Sequence, residues 1–520
     1  MSFALNNWRA GGLALKRSRV FRYRAVAAPD EPPAPRKAAQ TNIVSFKPRI
    51  FLAMVIICAV LVANLLGMGK VMWAGICFWL VLGLMLARVA VLGRSEEILC
   101  LLIAVAPFIN LLRAFAFYNV VGVLFGGALA YHFFRAPEAC RTILRKYPLL
   151  KGIFIYVMLY YLVSLFNTHE YAVNLRLFEL AFAALAVVMI GHDRALLGTA
   201  LVGTILCAWA VGISMLSHVH SDAVARLGII VIDGYTLGNP TQLGIPLAFG
   251  SLALIIDRGR WLNLESQGLR RLLMLLPTLP LLALTTSRAA WLVAVGGVLT
   301  NLAVGKKQQV KMLLVIGLGA VAIQAVLISP YGNSLKKGLD RTFGGSRTSA
   351  QRTSGRSDQW LVAWHAATQS INTIIMGHGP GRGPEVYAKY STEVEGIKYA
   401  VGKKVALHSL FMQIAVEAGL LGLLTLAGWL LVCVFKIFKR LRRTHEIFPL
   451  ICLLGYGFIV ITVSGNDINS GIFLGIALLG TARISTTSKA GLGISSNRLA
   501  PAKLRFSYNH TGVKYHGLAG

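Results

Sequence analysis

Apolar residues in this chain gather into runs of roughly 16 to 24, the length at which an α-helix crosses a hydrocarbon core about 30 Å thick. Between residues 50 and 217 this pattern predicts seven spans, at 50–68, 71–92, 97–116, 118–134, 152–167, 174–191 and 195–217. It predicts seven more at 241–257, 272–286, 289–305, 312–329, 406–435, 447–464 and 467–482. The polar stretches between spans are short, apart from a long one at 330–405. The expected fold class is an all-α polytopic integral membrane protein, with about 14 transmembrane helices and one large outer loop. The expected organisation is a basic tail at 1–49, eleven spans within 50–329, the outer loop with an interfacial helix at 330–405, three spans within 406–482 and a basic tail at 483–520.

Composition supports that reading. Apolar residues make up 56% of the chain and charged residues 14%. The net charge of +32 would suggest nucleic acid in a soluble protein. Here the cations sit in short clusters between apolar runs, which is the signature of membrane topology, so no nucleic-acid partner is expected and the bilayer is the surrounding medium. With the basic N-terminus inside, the span count also places 135–151, 258–271, 306–311, 436–443 and the basic C-terminal tail inside. The 330–405 loop falls outside, yet it carries Lys336, Lys337, Arg341, Arg347, Arg352, Arg356, Arg382, Lys389, Lys398, Lys403 and Lys404. A solvated loop would explain these; an anionic ligand on the outer face explains them better. The seven cysteines form no CxxC pair, so neither disulfides nor structural zinc are expected. The first apolar run starts only near Ile50, later than a cleaved signal peptide would begin.

The runs from Leu272 to Gly305 are too short for two full crossings, which need about 40 residues. Pro277 and Pro280 disfavour one straight helix. Two short helices meeting at a turn would place Arg288 on the floor of an outward-facing cavity. An arginine at such depth costs about 2.5–3.5 kcal/mol on insertion scales, so it calls for a partner, and a phosphate group is one. Snorkelling to the interface is the plainer alternative.

Within the outer loop, Trp360, Trp364 and Ala367 fall at helical spacing, predicting a helix at the lipid headgroups with Arg356 at its N-terminal end. Arginine and helix terminus there favour the same anionic ligand. The stretch Gly377-His378-Gly379-Pro380-Gly381-Arg382-Gly383 lacks the strand and Lys-Ser/Thr ending of a nucleotide loop. Its glycines allow a tight turn or a close backbone approach to substrate, so Gly377, Gly379 and Arg382 are candidate substrate-loop residues and a turn is the simpler use. His408 heads an apolar run and can accept a proton, although a lone histidine more often satisfies a helix start. Glu417, nine residues on, falls on the opposite helix face and is expected to support structure. His365, His378 and His408 lack metal-ligand spacing, so no metal site is expected.

In chain order, Gly238-Asn239-Pro240-Thr241-Gln242, Thr286-Ser287-Arg288-Ala289, Arg356 with Trp360, Gly377-His378-Gly379, and His408-Ser409 followed by Glu417-Ala418-Gly419-Leu420-Leu421-Gly422 carry a resemblance. Together, over roughly 236–430, they resemble the O-antigen ligase and polysaccharide polymerase family of bacterial polytopic membrane proteins. The resemblance implies a metal-independent glycosyltransferase, with no cofactor, in the bacterial cytoplasmic (inner) membrane and with its site facing the periplasm. It would move glycan from an undecaprenyl-pyrophosphate-linked donor to a hydroxyl of a glycan or lipid-core acceptor, polymerising or ligating surface polysaccharide. By the same resemblance Arg288 and Arg356 would bind the pyrophosphate, and His408 would act as general base. The chain departs from the family pattern at Ser409, where asparagine is frequent, and at Thr285-Thr286, where glycine is common. A carrier or flippase for an anionic lipid-linked sugar is the rival class; it would favour an internal repeat, and none is evident.

Overall fold

Asp193, Asn239 and Ser409 each stand just before an apolar run, and each turns a side-chain oxygen back onto the first amides of a helix. Such caps, with Pro at the first turn, divide the chain into helices joined by short turns. The computed structural model describes residues 48–92, 94–112, 120–153, 175–216, 239–304, 326–343, 355–462 and 468–482, with 155, 157–158, 227, 230–232, 235–237, 317, 319, 321 and 323–324 besides. Both basic tails apart from 48–49, most of the span expected at 152–167, half of that expected at 312–329, and Gly238, Lys306, Lys307, Lys311, Arg347 and Arg352 lie outside the described residues.

The elements are α1 (Pro48–Gly67), α2 (Val71–Val91), α3 (Ser95–Ala104), α4 (Ala106–Leu112), α5 (Val120–Arg135), α6 (Pro137–Lys146), α7 (Leu175–Ile190), α8 (Arg194–Ser214), β1 (Ile230–Ile232), β2 (Tyr235–Leu237), α9 (Pro240–Ile255) and α10 (Gly268–Thr285). They continue with α11 (Arg288–Val304), α12 (Gly332–Phe343), α13 (Arg356–Ala367), α14 (Ile371–Met376), α15 (Gly383–Tyr390), α16 (Leu410–Thr444), α17 (Phe448–Thr462) and α18 (Ile468–Leu479). Among the described residues four stretches, Met72–Val91, Arg194–Ser214, Gly268–Thr285 and Leu410–Thr444, are long and apolar enough to cross a membrane, and six further helices are shorter and apolar. Leu80, Leu84, Leu424 and Phe435 are among the large apolar side chains left exposed on these helices, as a lipid solvent permits. The chain is a multi-pass helical membrane protein.

Two local expectations are corrected. The span expected at 97–116 is broken at Val105, ahead of Pro107, into α3 and α4. The all-α reading also meets one small exception, an antiparallel pair in which Ile230 faces Leu237 and Ile232 faces Tyr235; β-branched and aromatic residues here favour the extended form.

α18 lies along α7, and α9 packs against both α10 and α11. Gly471 and Gly475, four apart on α18, bring the two backbones together, since a Cβ at either would come within 2.6 Å of Ala183 or Val187. The outer segment is no loose loop. α13, α14 and α15 dock on the first turns of α16 around Val362, Ala366, Tyr387, Tyr390, Leu407 and Val416.

That docking depends on a break in α16. Gly419 has φ 61° and ψ −159°, a conformation open essentially to glycine. The break frees two carbonyls of the preceding turn: Val416 accepts from the His378 amide at 2.7 Å and Glu417 from the Gly379 amide at 2.9 Å. A Cβ at Gly419 would run into the Ile375 carbonyl of α14. Gly419→Ala is expected to destabilise the fold by about 1–3 kcal/mol. Thermal melts in detergent should show the loss, while Gly428→Ala, in the same helix with open space around it, leaves the melting temperature unchanged.

Candidate active site

α10 and α11 meet at a tight turn, and Arg288 is the first residue of α11. This is the two-helix arrangement expected for 272–305. Thr286 caps α10 with φ 46° and ψ 27°, a left-handed geometry that costs an ordinary residue about 1–2 kcal/mol. Neighbours hold it there. Thr285 Oγ1 donates to the Leu282 carbonyl at 2.7 Å, and Ser287 Oγ donates at 3.2 Å to Thr241 Oγ1 at the start of α9. Gly244, one turn along α9, leaves room for the turn, because a Cβ there would come within 2.7 Å of Ala290 Cβ and 3.2 Å of Ser287 Cβ. Asn469 of α18 donates through Nδ2 to the Gln242 carbonyl at 3.0 Å. Three elements thus converge beside Arg288.

Arg356 begins α13. The helix start is fixed by Asp358, whose Oδ2 accepts the amides of Lys398 and Tyr399 at 3.0 and 3.1 Å. Burial, and next the Arg288 guanidinium, lower the pKa of Arg356 from its ordinary value, with Tyr399 acting weakly the other way. The Arg288 guanidinium is thus among the charges that act on Arg356.

One turn further along α13, Gln359 is fully buried. Its Oε1 accepts the His408 backbone amide at 3.2 Å, which orients the side-chain amide because a backbone N–H can only donate. His408 is half-buried immediately before the Ser409 cap of α16, and Ser409 Oγ donates to the Val460 carbonyl of α17 at 3.5 Å. The polar patch therefore runs from Arg288 to Arg356, through Gln359, to the backbone of His408. A pair of cations can bind a di-anion, and the His408 backbone is bonded to the helix that Arg356 begins.

The glycine stretch sits differently. Gly377, at φ 73°, lies against the Glu417–Ala418 peptide. His378 Nε2 reaches the Ala366 carbonyl at 2.9 Å, and Glu417 Oε1 accepts the Gly383 amide at 3.2 Å and Gln413 Nε2 at 3.1 Å. Gly377 and Gly379 thus serve a turn that ties α13 to the break in α16, and Arg382 is the residue before α15. Glu417 supports this turn.

Other expectations change as well. Trp360, Trp364 and Ala367 do not share one environment: Trp364 is 64% exposed, Ala367 is 8% exposed, and the Trp360 ring nitrogen is buried. The exposed apolar face of α13 is instead Leu361 with Trp364, because the opposite face packs on α15 and α16. Lys389, Lys398, Lys403 and Lys404 lie on the exposed surface, with Lys404 bonded to Glu385 at 2.8 Å. Arg356, among the described loop cations, is acted on by the Arg288 charge. The sequence reading did not single out Gln359 or Asn469; a polar residue on the apolar face of each helix was the available signal.

Residues 273–427 match a family model described as O-Antigen ligase. No curated protein matches the chain. The match begins within α10 and ends within α16, so it encloses Arg288, Arg356, the glycine turn, His408 and Glu417, and leaves Asn239 and Asn469 outside. The segment that carries the two arginines and the histidine is therefore an O-antigen ligase family domain.

Proposed function

We propose that the chain transfers a glycan from an undecaprenyl-pyrophosphate-linked donor to an acceptor hydroxyl, as a polysaccharide polymerase or O-antigen ligase. The observation that carries this reading is the action of the Arg288 charge on a half-buried Arg356, whose helix is bonded to the His408 segment. Two half-buried guanidinium groups that act on each other repel and lose hydration, and a pyrophosphate relieves both penalties at once. The acceptor oxygen attacks the anomeric carbon as the bond from that carbon to the pyrophosphate oxygen breaks. The hydroxyl proton passes to the His408 imidazole, and the lipid pyrophosphate leaves with the electron pair, its charge met by the two arginines. His408 is later deprotonated by solvent. No step draws on a metal or a cofactor.

The reading places Arg288, Arg356 and His408 on the periplasmic side of a bacterial inner membrane, with the basic tails inside and fourteen crossings in all, following the alternation of basic clusters along the sequence. Nothing in the sequence marks a lipid-core acceptor, which favours chain polymerisation over ligation.

The deciding assay is glycan transfer in proteoliposomes, with a polyprenyl-pyrophosphate-linked oligosaccharide as donor. Arg288→Ala and Arg356→Ala are each expected to lower turnover by about 10²–10³-fold, and His408→Ala by about 10²–10⁴-fold, with melting temperatures kept. Donor carried intact across the bilayer without new glycosidic product would favour the carrier reading instead. A subtler variant separates positioning from binding. Gln359→Leu takes the acceptor from the His408 amide and should reduce kcat about five- to tenfold with little change in donor KM; Gln359→Glu, which keeps an acceptor oxygen, should restore most of it. A change in KM alone would count against that role.

A further inference from the structure

A second polar site lies at the far end of α9. Thr241 begins this helix beside Ser287, and Ile256 and Asp257 end it some 16 residues on, about 24 Å away. There the 256–267 turn, the start of α8 and the 444–448 turn enclose a cavity of about 370 Å³. Basic residues crowd this end, so the charge rule makes it the inner face.

The cavity is built. The Gly259 amide donates to the Ala253 carbonyl at 3.0 Å, Leu264 to the Gly259 carbonyl at 2.8 Å, and Arg271 Nη1 to the Arg258 carbonyl at 3.0 Å. A Cβ on Gly198 of α8 would come within 3.0 Å of Leu262, so helix and turn are in close contact. Trp261 and Phe448, ring centroids 6.3 Å apart, supply an apolar part of the wall.

The charges in this lining carry both signs. Arg194, Arg258, Arg260 and His445 face the cavity together with Asp257 and Glu446. Arg260 is bonded to Glu265 at 3.1 Å, and Glu446 to Arg440 at 2.9 Å and to Arg194 at 3.7 Å. Among the described residues the Arg258 guanidinium has neither hydrogen bond nor ion pair. Asp257 Oδ2 accepts the Trp261 amide at 2.7 Å. Its carboxyl is pushed up to about 7, chiefly by burial and further by Glu446 and Glu265, against the Trp261 amide and Arg260. A carboxyl in that state gains most from an ammonium brought to it, and a bare guanidinium on the next residue gains from a phosphate.

We propose that this inner-face cavity binds the headgroup of an aminophospholipid, a phosphate ester beside a primary ammonium. Arg258 takes the phosphate and Asp257 the ammonium, with the Arg194–Glu446 pair at the rim; Trp261 sits where an interfacial tryptophan meets the glycerol region. The acyl chains follow the exposed apolar face of α10, which starts at the same turn with Leu269, Leu272, Leu273 and Leu276. This inference stands apart from the proposed transfer reaction, since its site shares no residue with the arginine pair.

The test is lipid retention by the full chain. Protein is exchanged into nanodiscs of equimolar phosphatidylethanolamine, phosphatidylcholine and phosphatidylglycerol, extracted gently, and its bound lipid counted by native mass spectrometry. Phosphatidylethanolamine should be retained about tenfold over phosphatidylcholine, which has the same phosphate but no ammonium N–H to donate. Asp257→Asn should erase that preference, Asp257→Glu should keep it, and Arg258→Gln should lower retention of both lipids. The preference should also fade as pH falls below about 7, where Asp257 takes up a proton. Equal retention of the three lipids, dominance of phosphatidylglycerol, or a preference that survives Asp257→Asn in a folded variant would overturn the proposal. So would soluble glycerophosphoethanolamine competing as strongly as the lipid, which would assign the cavity to a cytoplasmic metabolite.

Discussion

Two like charges, each half-buried and the one acting on the other, are the constraint that the proposed site in the outer half of this structure has to meet. Arg288 enters from a turn between two short apolar helices, and Arg356 from the first residue of an outer helix. Left to themselves these segments would separate, because burial and mutual repulsion both penalise the pair. The surrounding bonds oppose that separation. Thr241 and Gly244 seat the first arginine's turn against α9, and Asp358 pins the second arginine's helix to the Lys398–Tyr399 backbone. On the proposed reading, a site assembled against its own repulsion would need less reorganisation when a multiply charged anion binds.

The break at Gly419 does for the outer segment what the α10–α11 turn does for Arg288. An unbroken α16 would use the Val416 and Glu417 carbonyls within the helix and offer nothing to the glycine turn. Broken, it presents both carbonyls to His378 and Gly379, while the Glu417 carboxyl holds the Gly383 amide and Gln413. The turn then reaches α13 through His378, and α13 reaches His408 through Gln359. The position of the histidine segment is therefore tied to the position of Arg356 through the same helix.

How much of this could be read from sequence differs with the physics involved. The helical membrane class, the turn before Arg288 and the start of a helix at Arg356 were legible because apolar run length, proline and cap chemistry are local signals. The split at Val105 and the short β1–β2 pair escaped because each is decided within a few residues, inside segments whose overall composition favours helix or loop. The approach of Arg288 to Arg356 was not legible, since the two lie in elements that meet only through tertiary packing. The glycine turn was half legible: its glycines announced positive φ, but the partner that explains them is the break at Gly419, forty residues from Gly379 in the 379–419 interval. Trp364 misled for a related reason, since helical spacing with Trp360 fixes an angle but not which face packs inward.

The departures from the family pattern have a physical reading of their own. Ser409 stands where asparagine is frequent, yet both residue types can accept the amide of the third helical residue, and Ser409 does so with Met412 at 3.5 Å. The start of α16 is thereby preserved, and with it the placement of His408. Thr286 is a costlier exchange, because glycine reaches the left-handed region freely and a β-branched residue does not. The conformation persists in spite of the residue, held by the bonds of Thr285 and Ser287 on either side. A turn maintained at such a cost is the one that sets where α11 begins, and with it the position of Arg288 at its head.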